Sequence, residues 1–189
     1  MKDRIRLAED LSLTYAGLED RPLIYDLLVS DQTLDFMFDD NHSAPSYEEF
    51  SEEATSFYRG KACREGHYLL INYQGMTVGS VSYSLNEGEI PTYELDIWIG
   101  YRDYLGQGIG RRSLRGLMSY LARSYQIESF LIRPWKKNTQ ALRAYEKCGF
   151  RYITKDDLKI YYSPEDYEVY RQGDYGIDTA NMVCVWEET

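Results

Sequence analysis

The sequence predicts an α+β domain: a mixed, mostly antiparallel central sheet of about six to seven strands, flanked by helices. Strand-like runs recur along the chain, and two of them, His67 to Tyr73 and Met76 to Leu85, are separated only by Gln74 and Gly75, the spacing of a tight hairpin. Interspersed segments repeat their apolar residues at helical intervals. The 189 residues, 43% hydrophobic and 15% aromatic, suffice for one sizeable core and leave no room for two cores with a linker. Residues 1–189 are therefore expected to form a single domain.

From the start of the chain, Ile5 and Leu7 alternate with Arg6, so Arg4 to Glu9 reads as a first strand. Asp20, Arg21 and Pro22 open a helix with Leu23, Ile24, Leu27 and Leu28 on one stripe, the proline being tolerated in a first turn. Ser46 and Glu49 have capping-box spacing and start a second helix carrying Phe50, Ala54, Phe57 and Tyr58. The hairpin follows and begins an antiparallel meander. Thr92 to Gly100 is the next strand; alternation puts Tyr93, Leu95, Ile97 and Ile99 on one face and Glu94, Asp96 and Trp98 on the other. Arg111 to Tyr125 is a helix with Leu114, Leu117, Met118, Leu121 and Tyr125 on one stripe. Pro134 halts a strand over Ser129 to Arg133, and Asn138 caps a helix that runs to Cys148 and ends at Gly149. A strand starts at Phe150, residues 155–178 form a tyrosine-rich acidic insertion of weak periodicity, and Ala180 to Trp186 is a last alternating strand.

The net charge of −10 argues against general nucleic-acid binding, which needs a basic face. Its distribution is uneven. Arg102 to Arg151 holds eleven Lys or Arg against three acids, whereas Asp31 to Tyr58 holds eight acids and no Lys or Arg. Asp156 to Asp178 holds seven acids against Lys159 and Arg171, so these two acidic segments are suited to collecting a cation. No apolar run reaches the roughly 18 residues a membrane span needs, and Met1, Lys2, Asp3, Arg4 lack the apolar stretch of a secretory signal; a cytoplasmic protein without membrane partners is expected. Cys63, Cys148 and Cys184 are few and widely spaced, and His42 and His67 have no ligand spacing. Reduced thiols and no metal follow as expectations.

Gly106, Gln107, Gly108, Ile109, Gly110, Arg111 and Arg112 lie between a strand and a helix, a place suited to an anion. Closely spaced glycines let the backbone approach a ligand, and the amides and positive dipole end of the following helix favour phosphate. Arg111 and Arg112 add formal charge. The spacing fits neither a dinucleotide-binding fingerprint nor a P-loop.

Taken with Asn138, Ala141, Tyr145, Gly149 and Phe150, this turn resembles the Gcn5-related N-acetyltransferase (GNAT) superfamily. Within it, Tyr93 to Gly100, Gly106 to Gly110 and Arg133, Pro134, Lys137, Asn138 look most like the aminoglycoside 6′-N-acetyltransferases, over roughly Tyr93 to Tyr152. The resemblance implies acetyl-CoA as co-substrate, its pyrophosphate bound by backbone amides of Leu105, Gly106, Gln107, Gly108, Ile109 and Gly110. Leu105 stands where the family usually has Gln or Arg. It implies that the face of Asn138, Ala141 and Tyr145 meets pantetheine, that Tyr145 protonates the departing thiolate, and that Asp96 is general base or substrate anchor. A backbone N–H around Trp98, Ile99 and Gly100 would serve the oxyanion, with Glu94, Asp96 and Tyr83 on the acceptor side.

The chemistry asks for such groups independently. An amine attacks a thioester only when neutral, so a base must take its proton, and partial burial beside Glu94 would raise Asp96 toward that task. No cysteine sits in a nucleophile motif, so transfer is expected to be direct, in a ternary complex. The acidic segments at 31–58 and 155–178 then lie on the acceptor side, and the acceptor is expected to be a cationic small-molecule amine, aminoglycoside-like in kind, with the enzyme a monomer or homodimer. Two rivals keep the scaffold. One acetylates a protein N-terminus or a metabolite amine; the other is a non-catalytic acyl-CoA sensor, against which the presence of both Asp96 and Tyr145 counts.

Overall fold

A computed structural model describes residues 1–38, 43–52, 55–172 and 179–187. Its strands, β1 (Arg4–Arg6), β2 (Leu11–Tyr15), β3 (Gly66–Tyr73), β4 (Met76–Asn86), β5 (Thr92–Ile99), β6 (Ser129–Ile132), β7 (Arg151–Tyr152) and β8 (Met182–Val185), are hydrogen-bonded in the order β1-β2-β3-β4-β5-β6-β8-β7, and the chain divides into two compact units, Met1–Tyr83 with Ile97–Leu117 and Ser84–Asp96 with Met118–Thr189.

In the first unit, β1 (Arg4–Arg6) pairs antiparallel with β2 (Leu11–Tyr15), Ile5 facing Leu13, and β2 pairs with β3 (Gly66–Tyr73), Leu13 facing Ile71. The expected first strand thus stops at Arg6, where Leu7 and Ala8 turn back with their N–H groups on the Leu11 carbonyl. Strand β2 is an addition to the reading. Leu11, Leu13 and Tyr15 alternate cleanly into the core, and this strand raises the number to eight. The hairpin from β3 to β4 (Met76–Asn86) forms as expected, with Gln74 and Gly75 both at positive φ, 49° and 84°.

Helix α1 (Arg21–Leu28) has Pro22 in its first turn, and the Asp20 carboxylate before it accepts the Gly17 N–H at 2.8 Å. It buries Ile24, Leu27 and Leu28 in one cluster with Ala16, Leu70 and Trp98. A short helix α2 (Asp31–Met37) was not expected. In α3 (Tyr47–Glu52) the capping box forms: Ser46 N–H and Oγ–H both donate to Glu49 Oε2 at 2.8 Å, and Glu49 N–H donates to Ser46 Oγ at 3.2 Å. Ala54 lies outside the described residues. Phe50 is buried on α3, but the expected helical stripe does not continue: Phe57, half-buried, belongs to a 3-10 turn over Thr55–Phe57, and Tyr58, buried, follows it outside any helix.

Strand β5 (Thr92–Ile99) and helix α4 (Ile109–Tyr125) each contribute residues to both units. In the second unit β5 pairs in parallel with β6 (Ser129–Ile132), Thr92 facing Ser129 and Leu95 facing Ile132, since the intervening helix returns the chain in the same direction. Helix α5 (Thr139–Glu146) leads to Gly149 at φ 100° and to β7 (Arg151–Tyr152). Strand β8 (Met182–Val185) is antiparallel to both β6 and β7 and lies between them. The acidic insertion is more ordered than its periodicity suggests. It holds a 3-10 turn over Asp156–Ile160 and helix α6 (Pro164–Gln172), and it buries Leu158, Tyr161 and Tyr162 against Leu131. Residues 173–178 of that segment, and 39–42 and 53–54 of the earlier acidic one, lie outside the described residues. Among the described residues no helix is long and apolar enough to cross a membrane.

Candidate active site

The glycine bend belongs to the first unit. After β5 a 3-10 turn over Arg102–Tyr104 leads into it, and the Gln107 side chain donates back to the Asp103 carbonyl at 2.6 Å. Gly106 and Gly108 stand at φ 73° and 76°, the left-handed region that side chains disfavour. A Cβ at Gly106 would meet nothing within 4 Å, so glycine is required there by conformation and not by crowding. Arg112 N–H makes its helical bond to the Gly108 carbonyl at 2.9 Å, and the amides preceding it stand ahead of the helical ladder, at the positive end of a 17-residue helix. A bare backbone followed by a helix start is what a pyrophosphate requires. These features fit the CoA diphosphate expected there.

The two arginines diverge. Arg111 is exposed in the first turn. Arg112 turns back in a fork to Asp10, Nη1 to Oδ2 at 3.1 Å and Nη2 to Oδ1 at 2.5 Å. That hydrogen bonding holds the Asp10 carboxyl below the usual carboxylate range and Arg112 above its own. Arg112, expected to add its charge at the anion site, is thus engaged with Asp10 in this structure. Leu105 and Ile109 are half-buried and buried. Gly100 N–H is used in the sheet, donating to Val78 O at 3.0 Å, so of the three residues of the oxyanion expectation Gly100 is already engaged. The Trp98 indole is buried, its ring edge-on to Tyr68 at 6.3 Å. Tyr83 is buried in this unit, and its hydroxyl donates to the Cys63 carbonyl at 2.6 Å; it ties down the loop before β3 instead of presenting a polar group to a ligand.

The second unit holds the acids and the tyrosine. Asp96 is exposed on β5, so the partial burial expected to raise it is not found. Glu94, two residues earlier, is half-buried and surrounded by donors. Its Oε1 accepts from Arg133 Nε at 2.5 Å, and its Oε2 from Asn86 Nδ2 at 3.1 Å and from the Tyr162 hydroxyl at 2.8 Å. Arg133 also lies over the Tyr162 ring, 5.8 Å from its centroid. Asn138 caps α5 by accepting the Ala141 N–H at 3.0 Å, setting Asn138, Ala141 and Tyr145 along one helix face. Tyr145 is buried and packs edge-on against Phe150, ring centroids 6.1 Å apart. Burial pushes its hydroxyl above the ordinary tyrosine range, and the negative charge of Asp96 pushes it further the same way. Asp96 and Tyr145 thus belong to the same unit. Arg133, Asn86 and Tyr162 carried no sequence signal for a role: Arg133 stood only as part of a motif, and Tyr162 was one of nineteen tyrosines.

Among the described residues no group of three His, Cys, Asp or Glu could hold a metal ion. His42 lies outside them. His67, expected at the start of a strand, is a fully buried residue of β3. Its Nε2 accepts the Arg59 N–H at 3.0 Å, so the proton sits on Nδ1, 2.6 Å from the Tyr68 carbonyl that accepts it.

The acetyltransferase (GNAT) domain family matches residues 10–151. A probable spermine N(1)-acetyltransferase of Bacillus subtilis subsp. natto (strain BEST195) is 28% identical over 131 residues, covering 60% of this chain and 84% of that protein. The spermine/spermidine N(1)-acetyltransferase of Bacillus subtilis (strain 168) gives the same identity and coverage. Of solved structures, AAC(6')-Ib in complex with paromomycin and acetyl-CoA superposes with a TM-score of 0.67 at 15% identity, over 94% of each chain. The ribosomal L7/L12 alpha-N-protein acetyltransferase RimL superposes with a TM-score of 0.70 at 20% identity, over 98% of this chain and 96% of that one. At these identities the structural likenesses are ones of fold.

Proposed function

Given that the chain belongs to the GNAT acetyltransferase family, and is as such an acetyl-CoA-dependent N-acetyltransferase, we propose that its acceptor is a primary amine of a cationic small molecule, aminoglycoside-like in kind. What supports the reading is the placement of two groups in one unit: Asp96 exposed on β5 and the Tyr145 hydroxyl buried at the end of the face that Asn138 and Ala141 begin. An acid open to solvent and a tyrosine that keeps its proton supply the two groups the transfer needs.

In this reading exposed Asp96 attracts and anchors the ammonium, and the proton passes by way of its carboxylate to solvent, so that the nitrogen lone pair attacks the thioester carbon. The C–S bond breaks as the C–N bond stands, giving the acetylated amine and a thiolate. Tyr145 donates to that sulfur. A thiol has an ordinary pKa of about 8.5 and tyrosine one of about 10, so handing the proton over outright is uphill by at least about 2 kcal/mol, and more at a tyrosine raised further. Tyr145 thus stabilises the leaving sulfur by hydrogen bonding, and solvent completes the thiol. Backbone amides of the bend from Leu105 to Gly110 hold the diphosphate, and the amide of Trp98 or Ile99 meets the oxyanion. Asn138 and Ala141 line the pantetheine.

Charge supports the acceptor class: the basic stretch Arg102 to Arg151 suits a polyphosphate co-substrate, and the acidic segments suit a cation. The Bacillus relatives are named for acting on spermine, also a cationic amine. Release of free thiol from acetyl-CoA in the presence of aminoglycosides, polyamines and peptides tests the reading. Cationic small molecules should give the highest kcat/KM; preference for peptides would move the acceptor to a protein N-terminus, and no thiol release with any amine would refute the transfer.

A further inference from the structure

Glu94 and Asp96 lie two positions apart on β5, on one face, with Cα atoms about 6.6 Å apart by strand geometry. A pair of carboxylates at that spacing would suit two ammonium groups of one diamine. Glu94, however, is occupied. It accepts three hydrogen bonds, one of them from a guanidinium, and the Glu94 and Arg133 side chains are only 19% and 22% exposed. An ion pair held that close and largely out of water presents a dipole to its surroundings, not a charge.

We propose that Arg133 is a specificity-determining residue: by neutralising Glu94 it withholds that carboxylate from a second ammonium, so the acid-bearing face of β5 favours acceptors that present one ammonium there over closely spaced diamines. The inference rests on the reading above, that Asp96 receives the acceptor amine. β6 runs parallel to β5 with Leu131 opposite Glu94 and Ile132 opposite Leu95, so Arg133, the residue after β6, stands level with Asp96 and its side chain reaches diagonally back to Glu94. Tyr162 and Asn86 hold the carboxylate in that orientation without adding charge.

The test compares 1,4-diaminobutane with butylamine, a pair matched in length and differing by one ammonium, as the ratio of their kcat/KM values by thiol release. Calorimetric affinities for the same two amines give the ratio independently of turnover. In Arg133→Gln the ratio of diamine to monoamine should rise about tenfold, as a half-buried carboxylate regains its charge toward the acceptor. In Glu94→Gln the ratio should fall by a similar factor, because the guanidinium is left unneutralised. The double variant should return close to the parent ratio, and Tyr162→Phe, which loosens the network without changing its charge, should leave the ratio unchanged. If Arg133→Gln does not fold, Glu94→Gln and the double variant still decide the matter. An unchanged ratio in Glu94→Gln, or an equal rise in Tyr162→Phe, overturns the role of Arg133. A parent enzyme that neither binds nor acetylates either amine counts against both this role and the cationic-acceptor reading, whereas an active parent with unresponsive ratios counts against Arg133 alone.

Discussion

Replacing Gly106 by alanine isolates the backbone contribution to co-substrate binding. A Cβ there meets no atom within 4 Å, so the substitution introduces no clash, and its whole cost is that of holding a side-chain-bearing residue at φ 73°. That cost is about 1–2 kcal/mol. It can surface in two ways. If the bend keeps its shape, the folded protein is destabilised by that amount; if the bend relaxes, its amides leave the orientation a diphosphate needs, and acetyl-CoA binding weakens by about 5- to 30-fold. Calorimetric titration with acetyl-CoA and urea denaturation of the same protein measure both, and the two losses together should come to about 1–2 kcal/mol. Gly106→Asn should lose less than Gly106→Ala, because asparagine tolerates the left-handed region better. If Gly106→Ala matches the parent in both affinity and stability, or if asparagine does worse than alanine, the conformational account of the bend is wrong.

Asp96→Asn should lower kcat about 100-fold or more while leaving acetyl-CoA affinity within about twofold; unchanged turnover across amine acceptors would remove Asp96 from the chemistry. Tyr58 and Tyr145 both hold their protons above the ordinary range, burial being the larger cause, so the folded state keeps protons that the unfolded state loses. Stability should therefore be full below about pH 10 and decline above it, and tyrosinate absorbance from these two rings should appear only with unfolding, which Tyr145→Phe checks by lowering the late-appearing amplitude. His67 is shifted the other way, burial pushing it below its usual 6.5. Its contribution is present above pH 6.5 and is lost as pH falls below that, so urea midpoints should drop between pH 7 and pH 5 in the parent and drop less in His67→Gln.

Much of the fold could be read locally. The Gln74-Gly75 turn, the Ser46–Glu49 capping box, the Asn138 cap and the Gly149 terminator each act within a few residues, so their chemistry is written in adjacent positions. Strand β2 is equally local in its alternation, but the turn at Ala8 to Asp10 carries no glycine or proline to mark where it begins. What adjacency could not reveal is where long side chains go. Arg112 joins Asp10 across 102 residues, decided by which turn the start of α4 packs near, and Arg133 joins Glu94 across 39, decided by strand register. The same limit applies to Tyr83, whose hydroxyl ends on a carbonyl twenty residues back. In the insertion, burial falls on Leu158, Tyr161 and Tyr162 within a 3-10 turn and the bend after it, and such turns have no long apolar period to detect.

Strand β8 lies between β6 and β7, although both precede it in the chain. During synthesis, roughly fifty residues must emerge after Ile132 before Met182 can pair with it, as judged from the register that joins them. Over that interval the apolar Phe130-Leu131-Ile132 edge is a raw sticking surface for any passing chain. Nascent copies crowded on one messenger are thus more prone to tangling than the finished enzyme, and slowing translation just upstream of residue 182 should lower the soluble yield.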